Sequence, residues 1–444
     1  MIELKDVTFQ QQKHIILNRL SFVFPKQQFI LVTGDSGSGK STLFRLIAGF
    51  AQLSYTGKIL LDGKNLATAS MKEKAQTVGM VFQNPSQQFT MRTLRKEIIF
   101  ALENLGLAVS EINRRMNHAL ALGETSHLAD REINQLSGGE RQRAALTVIL
   151  AIDAPILILD EPFASIDSES RLRLIQKLKQ LRNQGKTIIL SDHDWLGYQE
   201  VVDQVVELTK GKLHTCSLDK LDATTCFYLH PSKDKRPPFF DLQKVQIQRN
   251  KQLLLETSWQ LNKGITTLTG ANGAGKTSLL KAMSQLEKYR GKMFLNGKKL
   301  RKKRQLYQTM SLVVQDAAKQ FVTLTVQEEL LFSKNQNPEI RAKQQEALAY
   351  FKIDGTQSLF HLSEGQKKIV QLISMLSLDL EFLLLDEPFA GLDQKACRYF
   401  VEWIQEQSNQ QDFLIVTHRL APLAGISHHH IVLEKQALQV GERS

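Results

Sequence analysis

One glycine-rich pattern occurs twice, as Gly34-Asp35-Ser36-Gly37-Ser38-Gly39-Lys40-Ser41-Thr42 and as Gly270-Ala271-Asn272-Gly273-Ala274-Gly275-Lys276-Thr277-Ser278. Both copies fit G-x-x-x-x-G-K-[ST], in which small residues let backbone N–H groups close on phosphate oxygens while the lysine reaches the terminal ones. The flanks give the pattern its meaning. Phe29 to Thr33 is a short apolar, β-branched run before the first copy, and Leu43 to Ala48 follows it with helical spacing. Ile265 to Thr269 and Leu279 to Met283 repeat that arrangement around the second. Strand, glycine loop, helix, twice over, restricts the chain to two related α/β halves, each with a site for ATP.

The repeat extends well beyond the loops. Ile156 to Leu159 ends in Asp160-Glu161 and Thr187 to Leu190 ends near His193. Their counterparts are Phe382 to Leu385 ending in Asp386-Glu387, and Phe413 to Val416 ending at His418. Short, wholly apolar runs between helical segments read as parallel strands covered on both faces, with ligands gathering at their carboxyl ends. The two lysines lie 236 residues apart, the strand-end aspartates 226 and the histidines 225, so the second half is about ten residues shorter between loop and aspartate. Pro231, Lys233, Lys235, Arg236, Pro237 and Pro238 suit a solvated boundary. The expected organisation is a first domain over 1–230, a linker over 231–240 with the seam near 235, and a second domain over 241–444.

Composition narrows the setting. A chain of 444 residues with 42% hydrophobic and 23% charged residues can build a core in each half and is not disordered. The net charge of +12 speaks to association with anions and not to fold; the runs at 298–304 and 233–236 read as solvated faces or linker. Three scattered cysteines, Cys216, Cys226 and Cys397, form no C-x-x-C pair and indicate neither a disulfide framework nor zinc, which fits a reducing cytosol. The N-terminus carries charges where a signal peptide needs an apolar core, and no run approaches the length of a membrane-spanning helix. Any membrane role would go through a partner. His428-His429-His430 has no counterpart in the first half and reads as a surface turn.

The residue types at the strand ends suit metal-assisted phosphoryl chemistry. Ser41 and Thr277 would bind Mg2+, Asp160 and Asp386 would supply its second contact, and Glu161 or Glu387 could polarise water beside the γ-phosphate. Pro162 and Pro388 complete Asp-Glu-Pro in both halves.

Leu136-Ser137-Gly138-Gly139-Glu140, followed by Arg141-Gln142-Arg143, makes the resemblance specific: nearly the whole chain resembles a tandem ATP-binding cassette ATPase. The resemblance implies two cassette domains, each a mainly parallel sheet core with an antiparallel β part and a helical subdomain. It implies that Ser137, Gly138 and Gly139 open a helix addressing the γ-phosphate held by the opposite half, with Ser363 and Gly365 in the reciprocal place, so the duplication is a built-in dimer. Gln83 and Gln315 resemble the family's Q-loop glutamines, sensing Mg2+ and attacking water. Ser165-Ile166-Asp167 and Gly391-Leu392-Asp393 match its D-loops, and His193 and His418 its switch histidines.

Two departures stand out. The second signature reads Leu362-Ser363-Glu364-Gly365-Gln366, with Glu364 where the family has glycine. A carboxylate there would repel phosphates unless turned away, so the sites are expected to be unequal, with Lys276 in the better hydrolytic one and Lys40 in the weaker. The aromatic that often stacks on adenine is missing in both halves, where Gln11 follows Phe9 and Arg249 follows Ile247.

Val81-Phe82-Gln83-Asn84-Pro85, then Gln87 to Thr90 and Glu103-Asn104, is similar to the energy-coupling-factor group that imports vitamins and metal ions. That implies an energising subunit at the cytoplasmic face of the cell membrane, with integral membrane transporter subunits as partners and no nucleic acid. A sugar-type tandem importer ATPase and a ribosome-acting tandem ATPase are the alternatives. The latter resemble each other in a long charged linker and Asp-Glu-Pro-Thr-Asn-His, whereas this chain has Asp-Glu-Pro-Phe-Ala twice.

Overall fold

The computed structural model describes residues 1–11, 14–35, 37–50, 54–164, 166–192, 194–222, 236–249, 252–332 and 337–441. The chain forms two compact units, Met1–Thr225 and Cys226–Ser444. Ser36, Ser165 and His193, named above as site residues, and residues 231–235 of the expected linker lie outside the described residues.

In the first unit the strand before the glycine loop, Phe29–Thr33, lies inside a six-stranded sheet. It pairs in parallel with Thr187–Ser191 and Gln204–Thr209, and Ile156–Asp160 and Val78–Val81 continue the parallel order on one side. Lys212–Cys216 closes the other edge antiparallel. Alternation explains why these strands are apolar throughout: Ile30, Val32, Ile156 and Ile158 enter one buried cluster, while Phe29, Leu31, Leu157 and Leu159 enter another. The first cluster is covered by the antiparallel sheet of Ile2–Gln11, His14–Phe24, Thr56–Leu61 and Lys64–Asn65. A helical part, Leu94–Asn104, Val109–Leu122 and Gly138–Ile152, packs around Leu102, Met116, Leu120 and Val148.

The second unit repeats this order. Ile265–Thr269 pairs in parallel with Asp412–Val416 and His429–Glu434, and Phe382–Asp386 and Met310–Val313 extend the sheet. Phe382 and Leu384 face one core while Leu383 and Leu385 face the other. Pro238–Arg249 and Gln252–Asn262 head its antiparallel sheet. Part of the expected linker is therefore strand: Pro238 starts it and Phe239 and Phe240 are buried, Phe239 meeting Phe382 edge-on at 4.8 Å. Two adjacent aromatics bring more apolar area than the preceding prolines can keep in solvent.

The histidine run also differs from expectation. His429 and His430 lie on a strand beside the glycine-loop strand, not on a surface turn; His428 Nδ1 accepts from the Ile265 N–H at 3.0 Å and His430 Nε2 lies 3.0 Å from Thr269 Oγ1. Burial pulls the pKa of both His429 and His430 down. Among the described residues no group of His, Cys, Asp and Glu is arranged to hold a metal ion.

Candidate functional site

The two glycine loops have the same backbone. Gly34 and Gly270 sit at φ 141° and 147°, Gly37 and Gly273 at 80°, and Gly39 and Gly275 at 102° and 107°. These are left-handed or extended-positive conformations that side chains avoid. A Cβ on Gly34 would come within 2.6 Å of the Leu208 carbonyl oxygen, and one on Gly270 within 2.5 Å of that of Leu433. Over Gly37 and Gly273 a Cβ would meet nothing within 4 Å, so open space lies beside each loop. The helices Lys40–Ile47 and Lys276–Met283 then start with no side-chain cap, which leaves their first N–H groups available to an anion.

Both lysines are largely buried under their own loops. Lys40 Nζ donates to the carbonyls of Gly34 at 2.7 Å and Asp35 at 3.0 Å; Lys276 Nζ donates to Gly270 at 2.6 Å and Ala271 at 3.0 Å. The buried Ser38 hydroxyl makes no hydrogen bond among the described residues. Open space, uncapped N–H groups, a cation and an orphaned hydroxyl fit a polyphosphate chain.

The acidic strand ends close on these loops. Thr277 Oγ1 donates to Asp386 Oδ2 at 2.8 Å. In the first half Ser41 hydrogen-bonds Asp160, which also accepts from Ser191 Oγ at 2.8 Å. Burial raises the pKa of Asp160 and Asp386, with Glu161 adding to the first. A hydroxyl and a carboxylate side by side, buried and anionic, are the donor set a hard cation such as Mg2+ prefers.

Glu161 and Glu387 take positive φ, 47° and 49°, turning each off the strand axis. Glu387 Oε2 accepts from the His418 N–H at 3.2 Å, and Oε1 lies 3.5 Å from His418 Nε2. Burial pushes Glu387 up to about 7. His418 Nε2 is also 3.2 Å from Asn272 Oδ1 and 3.3 Å from Lys276 Nζ, so the second half brings together loop, acid and histidine.

The signature serines cap helices. Ser137 Oγ accepts from the Glu140 N–H while Glu140 Oε2 accepts from that of Ser137; Ser363 and Gln366 form the same box. Glu364 follows at the first helical position, half exposed, its carboxylate 2.9 Å from Lys367 Nζ. Its charge is thus partly offset within its own turn. Gln11 and Arg249 are exposed at strand ends.

Several residues at these sites were not assigned a site role from the sequence, although Gln88 stands in the quoted Gln87 to Thr90 run. Gln88 Oε1 accepts from the Phe82 N–H at 3.3 Å and Gln320 Oε1 from the Val314 N–H at 3.0 Å, pinning the residue before Gln83 and before Gln315. Their 232-residue spacing, equal to that of Gln83 and Gln315, was the available signal. Arg171 and Lys368 are the others. Arg171 Nη2 lies 3.2 Å from Asp192 Oδ2 and the side chain donates to the carbonyls of Leu196 and Asp194, tying these residues to the helix Ser168–Asn183. Lys368, only 4% exposed, donates to the Gln315 carbonyl at 3.2 Å.

Residues 17–164 and 254–390 each match the family described as ABC transporter. A Bacillus subtilis protein provisionally named an HMP/thiamine import ATP-binding protein, YkoD, is 29% identical over 98% of this chain and 90% of its own length. A Methanosarcina mazei protein provisionally named an ABC transporter ATP-binding protein is 30% identical over 95% of this chain and 90% of its own. Among solved structures, an archaeal Pelota and ABCE1 complex on the ribosome contains a chain that shares the fold at TM-score 0.74 and 18% identity, covering 99% of this chain and 78% of that one.

Proposed function

The chain belongs to the ABC transporter family and is a tandem ATPase, and from that premise we propose that it is the energising subunit of a membrane importer. The energy-coupling-factor type, serving a vitamin, vitamin precursor or metal ion, is the reading favoured. What carries it is the doubled site combined with likeness along nearly the full chain to transporter ATP-binding proteins, including one named for HMP/thiamine import. Among the described residues no helix is long and apolar enough to cross a membrane. Partner subunits would therefore hold it at the cytoplasmic face.

In this reading Lys40 and Lys276, with the loop N–H groups, hold the phosphates. Ser41, Asp160 and Gln83, and Thr277, Asp386 and Gln315, would hold Mg2+, which supplies positive charge to the phosphate oxygens. Glu387 orients and deprotonates water, a task suited to a carboxyl raised toward neutrality, and His418 places its ring at the γ-phosphate. Glu161 and His193 take those roles in the first half. The sites are unequal, and the Lys276 site is the faster.

The test is affinity purification of the tagged chain from detergent-solubilised membranes. Integral membrane proteins should accompany it in fixed ratio and alter its ATPase rate. Recovery of ribosomes in their place would reverse the reading in favour of the ribosome-acting class.

A further inference from the structure

A small ring of hydrogen bonds holds the residue before Gln315 from both sides. The Val314 N–H donates to Gln320 Oε1 at 3.0 Å, and the Gln371 amide nitrogen donates to that same oxygen at 2.6 Å and to the Val314 carbonyl at 2.9 Å. Gln320 is itself anchored, its amide nitrogen reaching the Leu312 carbonyl at 3.1 Å and Met375 Sδ at 3.0 Å. Gln371 comes from the helix Glu364–Leu376, which also sends Lys368 Nζ to the Gln315 carbonyl at 3.2 Å and, less closely at 3.5 Å, to that of Val314. Because each peptide unit is planar, holding both the N–H and the carbonyl of Val314 fixes the planes on either side of its Cα, and with them the direction in which the chain enters Gln315.

The first half is built differently at this point. Eight residues after Ser363 comes Gln371, whereas eight after Ser137 comes Ala145, whose methyl group has nothing to donate. Gln88 Oε1 still accepts from the Phe82 N–H there, but its amide nitrogen turns to the Ala145 backbone carbonyl at 3.3 Å. Gln371 is only 1% exposed, and its Oε1 has no hydrogen-bond partner among the described residues. A buried carbonyl left unpaired destabilises a fold, so stability alone favours an apolar side chain at this position. We propose that Gln371 is a positioning residue of the second site, setting the Val314 backbone so that Gln315 is presented to the nucleotide and its attacking water in one fixed arrangement. This rests on reading Gln315 as a residue of the second ATP site.

The experiment measures steady-state phosphate release by the full chain. Gln315→Ala should lower turnover; if it does not, Gln315 has no part in the reaction and the proposal falls with that reading. Gln371→Met fills similar space without the donor and removes the unpaired oxygen, so the urea midpoint should hold or rise. Turnover should nonetheless fall about tenfold with the KM for ATP within about twofold, since a misplaced glutamine slows the reaction more than it weakens binding. Gln371→Ala, which copies the first half, should show the same split between kcat and KM. Added to Gln315→Ala, Gln371→Met should lower turnover by less than about twofold more, because its effect passes through Gln315. Unchanged turnover in Gln371→Met, a fall that tracks a lowered urea midpoint, or an undiminished fall in the Gln315→Ala background would overturn the proposal, since an inert side chain, a purely structural one or one acting elsewhere gives those results.

Discussion

Replacing Arg171 with methionine removes a charge from a closed environment, and the cost can be worked from its contacts. The guanidinium is about 6% exposed, lies 3.2 Å from Asp192, 3.9 Å from Asp194 and 5.0 Å above the Tyr198 ring, and donates to two backbone carbonyls. Methionine keeps much of the volume, so little of the loss is cavity. What remains is Asp192, about 10% exposed, with the Tyr198 hydroxyl at 2.8 Å and the Asp194 N–H at 3.1 Å as partners. Removing one member of a buried pair costs about 3–5 kcal/mol, and the two retained hydrogen bonds place this case near the lower end, about 3 kcal/mol. Urea unfolding of the full chain should show the first unit losing that amount with the second unchanged. Amide exchange at 194–198 should quicken most, since the clamp holds that segment. Asp192→Asn on top of Arg171→Met should recover at least about 1 kcal/mol, the orphaned charge being gone. A loss under about 1 kcal/mol, or no recovery in the double variant, would refute the view that this pair is dry and holds the Asp194–Leu196 backbone. The second half offers an internal control: the position equivalent to Arg171 is Cys397, and Arg419 bonds the Phe389 and Leu392 carbonyls at 2.8 Å, so Cys397→Ser should cost far less.

Thr277→Val deletes the hydroxyl that reaches Asp386 and should raise the Mg2+ needed for half-maximal ATPase about tenfold or more while nucleotide binding in EDTA changes little; an unchanged Mg2+ titration would count against that hydroxyl as a ligand. Gln320→Leu should free the Val314 N–H, cost about 1–2 kcal/mol in urea unfolding and lower ATPase, with Gln88→Leu the parallel case in the first half. His430 has a folded pKa held below its unfolded value, so the neutral form is favoured in the fold. Its contribution is complete above the unfolded value of about 6.5 and fades as pH falls toward the folded one. Second-unit stability measured from pH 7.5 to 5 should therefore fall, less steeply in His430→Gln; an identical slope would remove His430 as a cause.

Much of the fold could be read from residues alone because its main strands are apolar on both faces and its loops carry glycines at fixed places. Phe29–Thr33 and Ile265–Thr269 fall where the apolar runs put them, and the other core strands differ at their ends by one residue. Loop lysines, strand-end acids and signature serines are visible because each is a local pattern. Lys368 and Arg171 were not, since a charged residue on a helix ordinarily reads as solvated and its burial depends on partners dozens of residues away. The histidine run reads as a turn for a related reason: three polar rings in sequence look solvated, yet the rings of His428 and His430 find partners on Ile265 and Thr269 only when the chain is laid beside that strand.

The most direct measurement on the two-site account is steady-state phosphate release by full-length Glu161→Gln and Glu387→Gln. Glu387→Gln should lower turnover by about 100-fold or more, the range expected for loss of a positioned general base, while Glu161→Gln leaves most of it. Turnover intact in Glu387→Gln and abolished in Glu161→Gln would contradict the account outright.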